Sequence, residues 1–128
     1  MPISYVIDPP RNLIRTTATG VLTDEEVLSH KGAMAADPAC RPGMLELSDV
    51  RSVSQLMVTA SGIQAMVAVD AEHGPALSGH RLAIVASKDV VFGMARMYQN
   101  MTGDNVSGVG VFRDIPAAAE WLGVEGIE

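Results

Sequence analysis

The stretch LAIVASKDVVFGMARMYQNM (residues 82–101) carries the pattern on which the fold turns. LAIVA (82–86) is a continuous apolar run without alternation, as in a strand covered on both faces, and is expected to be the central strand. Ser87 or Asp89 caps a helix over about 88–101, in which Val91, Met94, Ala95, Tyr98 and Met101 fall on one face. VSGVGVF (106–112) supplies the next strand, with Gly108 and Gly110 on one side where a helix approaches closely. A buried strand, an amphipathic helix and a second strand make a helical crossover, the unit from which α/β sheets are built.

Working outward, Asp114 caps a final helix with Pro116 in its first turn and Gly123 past its end. At the other end, ISYVID (3–8) and NLIRTTAT (12–19) flank Pro9-Pro10-Arg11 and read as an opening hairpin. Gly20 is expected to end the second strand, and Thr23-Asp24-Glu25-Glu26 forms a capping box for a helix from about 24 to 36. That helix stops before Asp37-Pro38, because the proline ring disfavours a helical residue ahead of it. MLELS (44–48) is the third strand. Residues 50–58 read either as an apolar loop or as the first turns of a helix through TASGIQAMVAVDAEH, since Leu56, Ala60, Ile63 and Val67 keep helical spacing; a stop follows near His73-Gly74-Pro75. The order β-β-α-β-α-β-α-β-α specifies one α/β domain over 1–124, a mixed sheet of about five strands with four helices, and a short tail at 125–128.

Composition narrows the function classes. With 48% hydrophobic and 19% charged residues, the chain has enough apolar surface to offset conformational entropy, which excludes a disordered reading. A net charge of -6 with scattered basic residues argues against nucleic acid. The single Cys40 excludes an internal disulfide and a multi-cysteine metal site. No basic segment followed by an apolar stretch opens the chain, and no run of about 18 apolar residues occurs, so no transmembrane segment and a cytoplasmic location are expected. Eight methionines against five aromatic residues imply a deformable core.

Catalytic patterns are absent from the sequence. His30, His73 and His80 lack metal-ligand spacing, and a solvated histidine is the expectation for each. No Gly-x-Ser-x-Gly elbow or phosphate-cradling glycine loop occurs. Asp49 and Asp114 follow strands, but a turn and a helix cap account for them. The chain therefore reads as non-enzymatic, with no cofactor.

The order of elements resembles the STAS domain of anti-sigma-factor antagonists, and more closely the SpoIIAA-like family of small bacterial proteins. The resemblance is carried by Tyr5-Val6-Ile7-Asp8, Gly20-Val21-Leu22-Thr23, Asp37-Pro38, Ala83-Ile84-Val85, Phe92 through Tyr98, and Val111 through Asp114 leading to Trp121-Leu122. It implies a regulatory or protein-interaction domain, acting in bacterial signalling. The STAS pattern places a phosphorylated serine at the start of the helix after the third strand, and Thr59-Ala60-Ser61-Gly62 is similar to that segment, with Ser61 as the acceptor. It departs from the antagonists' Asp-Ser-Ser-Gly run. A helix starting near Gln55 would leave Ser61 in its interior; local serine-to-backbone bonding is the commoner use of such a residue.

Two further candidates follow from the residues. Phe92, Arg96 and Gln99 share the helix face opposite Val91, Ala95 and Tyr98, an aromatic ring beside a guanidinium that would contact another protein or a second copy of this chain, unless a loop near 102–107 covers it. Val53, Leu56, Met57 and Met66 would line an apolar pocket for a small ligand, as domains of the wider SEC14 group bind lipids.

Overall fold

Strands β1 (Ile3–Asp8), β2 (Leu13–Thr23), β3 (Leu45–Met57), β4 (Arg81–Val85) and β5 (Gly108–Phe112) lie side by side in that order in one mixed sheet. The computed structural model describes residues 3–72, 80–102 and 108–127. β1 runs antiparallel to β2, and every other neighbouring pair is parallel. The α-helices among the described residues are α1 (Asp24–Ala36), α2 (Ala60–Glu72), α3 (Asp89–Thr102) and α4 (Ile115–Leu122).

The two faces of the sheet are covered differently, because side chains alternate along each strand. Leu47, Ala83 and Val85 point to the face closed by Ile115, Ala118 and Leu122 of α4. Leu82 and Ile84 point to the opposite face, where Ile63 and Met66 of α2 and Val91 and Tyr98 of α3 pack together with Val27 of α1. Gly110 lies beneath α4. A Cβ there would sit 2.6 Å from the Phe112 ring and 3.3 Å from Trp121, so glycine is what lets these rings pack against the strand.

Local chemistry sets the helix ends. Thr23 caps α1 by accepting from the Glu26 amide at 3.3 Å, and its hydroxyl donates to Glu26 Oε1 at 3.1 Å. Asp114 accepts from the Ala117 amide at 2.8 Å, and Gly123, at φ 76°, closes α4 in the left-handed conformation.

Three expectations are corrected. β2 does not end at Gly20; it continues to Thr23, with register shifts at Thr17/Thr19 and Gly20/Val21 that the positive φ of Gly20 accommodates. Residues 50–57 are neither loop nor helix but the second half of β3, paired with the extension of β2 from Ser52 to Met57. Each long strand supplies the other's ladder partner, and the helical spacing of Leu56 with Ala60 crosses a strand boundary. Finally, β4 is covered on both faces but is not central; that place belongs to β3. The expected glycine-proline stop at 73–75, and positions 106 and 107 of the last strand, lie outside the described residues. Among the described residues no helix is long and apolar enough to cross a membrane.

Candidate functional site

Between the sheet and helices α1, α2 and α3 lies a cavity of about 130 Å³. Its lining is chiefly aliphatic, from Ala18, Leu22, Val58, Ile63, Met66, Leu82, Val91 and Ala95 among others. One wall is different. Thr16 of β2, Glu46 of β3, His30 and Lys31 of α1 and Tyr98 of α3 bring polar groups to it. Val27, Val50, Leu56 and Met94 in the lining are only half-buried, which gives the cavity a rim near the surface.

The polar wall arises from residues placed on otherwise apolar stripes. In α1 the spacing Val27, His30, Lys31, Met34 follows the helical period, so His30 and Lys31 are carried inward with their apolar neighbours. In α2 the stripe Ile63, Met66, Asp70 does the same for an acid. In β3, Glu46 alternates with Leu45 and Leu47, whose side chains serve the opposite face.

Lys31 Nζ donates to Asp70 Oδ1 at 3.0 Å and to the Tyr98 hydroxyl at 2.9 Å, and the Tyr98 hydroxyl donates to Asp70 Oδ2. Asp70 is 1% exposed, so its charge depends on these partners. Burial disfavours the Lys31 ammonium, but the Tyr98 and Asp70 oxygens outweigh it and raise the lysine pKa. Burial, together with Asp70, also raises the Tyr98 pKa, so its phenol is held neutral.

Glu46 accepts from Thr16 Oγ1 at 2.8 Å, and His30 Nε2 lies 3.8 Å from Glu46 Oε2, beyond hydrogen-bond reach. Burial pushes the Glu46 pKa up, but His30, Lys31 and the Thr16 hydroxyl together hold it below the ordinary carboxylate value. His30 Nε2 is buried and makes no hydrogen bond among the described residues. Its ring packs edge-on against Tyr5, centroids 5.5 Å apart, while the Tyr5 hydroxyl donates to Asp37 at 2.9 Å.

The depressed pKa of Glu46 gives a pH signature. Its contribution to stability is fully present above the unfolded glutamate value of about 4.3 and is lost as pH falls through the lower folded value. Glu46→Gln is expected to cost about 1–3 kcal/mol at neutral pH, with the gap to wild type closing below about pH 4. A melting-temperature gap that persists unchanged to pH 3 would contradict this assignment.

The sequence candidates are distributed around the molecule. Leu56 and Met66 line the cavity, Val53 is buried in the same core outside the lining, and Met57 is 52% exposed. Ser61 is exposed in the first turn of α2, which begins at Ala60. Thr59 caps that helix, accepting from the Gly62 amide at 3.0 Å, and is itself held by Asp24, which accepts from its amide at 2.9 Å and its hydroxyl at 2.7 Å. A Cβ on Gly62 would lie 1.9 Å from the Asp24 carboxylate, so glycine is what allows the α1 and α2 starts to meet.

The outward aromatic face is corrected. Phe92 is half-buried against the core, and the Arg113 guanidinium covers its ring at 4.0 Å. Gln99 donates to the Val109 carbonyl at 2.6 Å, which leaves Arg96 as the exposed member. The helix turns Phe92 toward the sheet edge because α3 packs beside β5. Residues 103–107, where a covering loop was the alternative, lie outside the described residues.

Two of the histidine expectations are also corrected. His80 is 3% exposed, its Nε2 3.1 Å from the Arg41 carbonyl, and His30 faces the cavity wall. Neither residue stands in an apolar periodic pattern strong enough to announce its burial. Asp49 lies within β3 rather than in a turn, held by the Arg51 guanidinium through bonds of 2.9 Å to each carboxylate oxygen, which keeps its pKa low. No cluster of three or more histidine, cysteine or acidic residues suited to a metal ion occurs among the described residues.

No family model and no curated protein matches this chain in sequence. In structure, it is similar to an uncharacterised protein of the DUF3478 family with a SpoIIAA-like fold from Shewanella loihica PV-4. The TM-score is 0.60 at 20% identity, over 94% of this chain and 93% of that one. The fold is SpoIIAA-like. Among the described residues the SpoIIAA-like domain thus places its α-helices unequally, α1, α2 and α3 over the cavity and α4 behind the sheet.

Proposed function

We propose that this SpoIIAA-like domain is a non-catalytic binding module that takes a small, largely apolar molecule into the cavity under α1, α2 and α3. The observation that carries the reading is the cavity of about 130 Å³, aliphatic on most sides and polar on one. An apolar cavity of about 150 Å³ accommodates benzene. The cavity thus holds a group of single-ring size, which is the scale at which we apply the SEC14-like carrier reading. Three of the wall's ionisable groups are tuned away from proton transfer. Lys31 and Tyr98 are held protonated and Glu46 ionised, away from the near-neutral pKa that a general acid or base needs.

Toluene at ten times its dissociation constant is expected to stabilise the protein by about 1.4 kcal/mol, a rise of several degrees in melting temperature. Ala95→Leu, which brings three further carbons to the lining, should remove that rise while circular dichroism stays native. A wild-type melting temperature indifferent to toluene rejects the reading.

A second reading is favoured by one observation, the exposure of Ser61 at the start of α2. A phosphate there would meet the helix-start amides and the positive end of the dipole, and so regulate a contact with another protein. Ser61→Asp that leaves every contact made by the wild-type protein unchanged rules this out.

A further inference from the structure

The polar wall of the cavity has a charge and hydrogen-bond pattern that discriminates among ligand classes. Glu46 in the lining and Asp70 behind it set two carboxylates against one ammonium, Lys31, so the wall does not favour an anionic ligand. Lys31 and Asp70 are occupied with each other and with Tyr98. Besides the Ser48 hydroxyl on β3, what remains is the pair formed by His30 Nε2, buried and without a hydrogen-bond partner among the described residues, and Glu46 Oε2, 3.8 Å from it. That gap is too long for a direct hydrogen bond, but one oxygen at about 2.8 Å from each atom would bridge the two. Ionised Glu46 only accepts, whereas a neutral imidazole Nε2 can carry the hydrogen and donate. The group that completes both is one that donates and accepts at the same atom. A charged ammonium would also have to lose its hydration in a mainly aliphatic space, at a cost a neutral group avoids.

We propose that the cavity selects a small neutral alcohol or phenol, its hydroxyl seated between His30 and Glu46 and its hydrocarbon part in the aliphatic lining. The hydroxyl donates to Glu46 Oε2 and accepts from His30 Nε2. This rests on the cavity reading above and adds the chemical class of the ligand. Thr16, which already donates to Glu46 Oε2 at 2.8 Å, holds the carboxylate in position for that second donor.

Phenol and toluene have nearly the same shape and differ by a hydroxyl against a methyl, so they separate the two claims. Calorimetric titration of the wild-type chain and of His30→Phe measures both. The expected result is that His30→Phe weakens phenol at least tenfold and leaves toluene within about threefold, as loss of a single buried hydrogen bond predicts. Equal effects on the two probes overturn the hydroxyl seat and leave the cavity reading standing. Failure of both to bind the wild type overturns the cavity reading itself. Should His30→Phe not fold, nitrogen NMR of the wild-type histidine rings replaces it. Phenol is expected to shift the His30 Nε2 resonance and toluene to leave it in place, and a resonance indifferent to saturating phenol overturns the proposal.

Discussion

Lys31→Met is expected to lower the stability of this domain by about 3–5 kcal/mol, the cost of leaving one partner of a buried ion pair uncompensated. For a chain of this length that is a fall of roughly 10–20 °C in melting temperature. The reason is Asp70. It is 1% exposed, and the donors to its carboxylate are Lys31 and the Tyr98 hydroxyl. Methionine preserves most of the packing volume of the lysine stem, so the loss reports charge rather than a void. The control is the triple change Lys31→Met, Asp70→Leu, Tyr98→Phe, which removes every charge and hydroxyl of the cluster together. It is expected to be more stable than Lys31→Met alone, since replacing a whole buried ionic network by apolar groups is often neutral or stabilising. A single variant within about 1 kcal/mol of wild type by denaturant unfolding would mean that Asp70 does not rely on Lys31.

On the other side of the sheet, Leu47→Ala is expected to cost about 2–5 kcal/mol, the range for truncating a fully buried leucine. Leu47 is 1% exposed and belongs to the layer closed by Ile115, Ala118 and Leu122. Because that layer faces away from the cavity, the variant should bind toluene with wild-type affinity wherever it remains folded. A loss of toluene binding larger than about threefold would show that the two faces are coupled through β3 and contradict their separate roles.

The same alternation explains how much of the site could be read beforehand. Tyr98 was legible, because its helix carries a clear apolar stripe and the tyrosine falls on it. Lys31 and Asp70 were not, because a charged residue on a helical stripe ordinarily marks the solvent side, and only their mutual contact removes the penalty of bringing them inside. Glu46 carried a weak signal of its own. It is an acid within the short apolar strand MLELS, at the alternate position to Leu45 and Leu47, and such a residue points to the second face of a sheet covered on both sides. For Ser61 two helix starts were open, one of which left it in the helix interior, until the long ladder between β2 and β3 ran to Met57 and α2 began at Ala60.

What the sequence determined by itself is the local chemistry and its order: the hairpin around Pro9–Arg11, the capped starts of α1 and α4, the buried character of β4, and hence a mixed α/β sheet with four helices. These follow from interactions within a few residues, where proline geometry, capping side chains and periodicity act alone. Only the tertiary structure decided that β3 is central, that residues 50–57 continue it, that Phe92 turns inward, and that six polar side chains from four separated elements line one cavity. Each of those depends on partners distant in the chain, whose pairing energy no local pattern records.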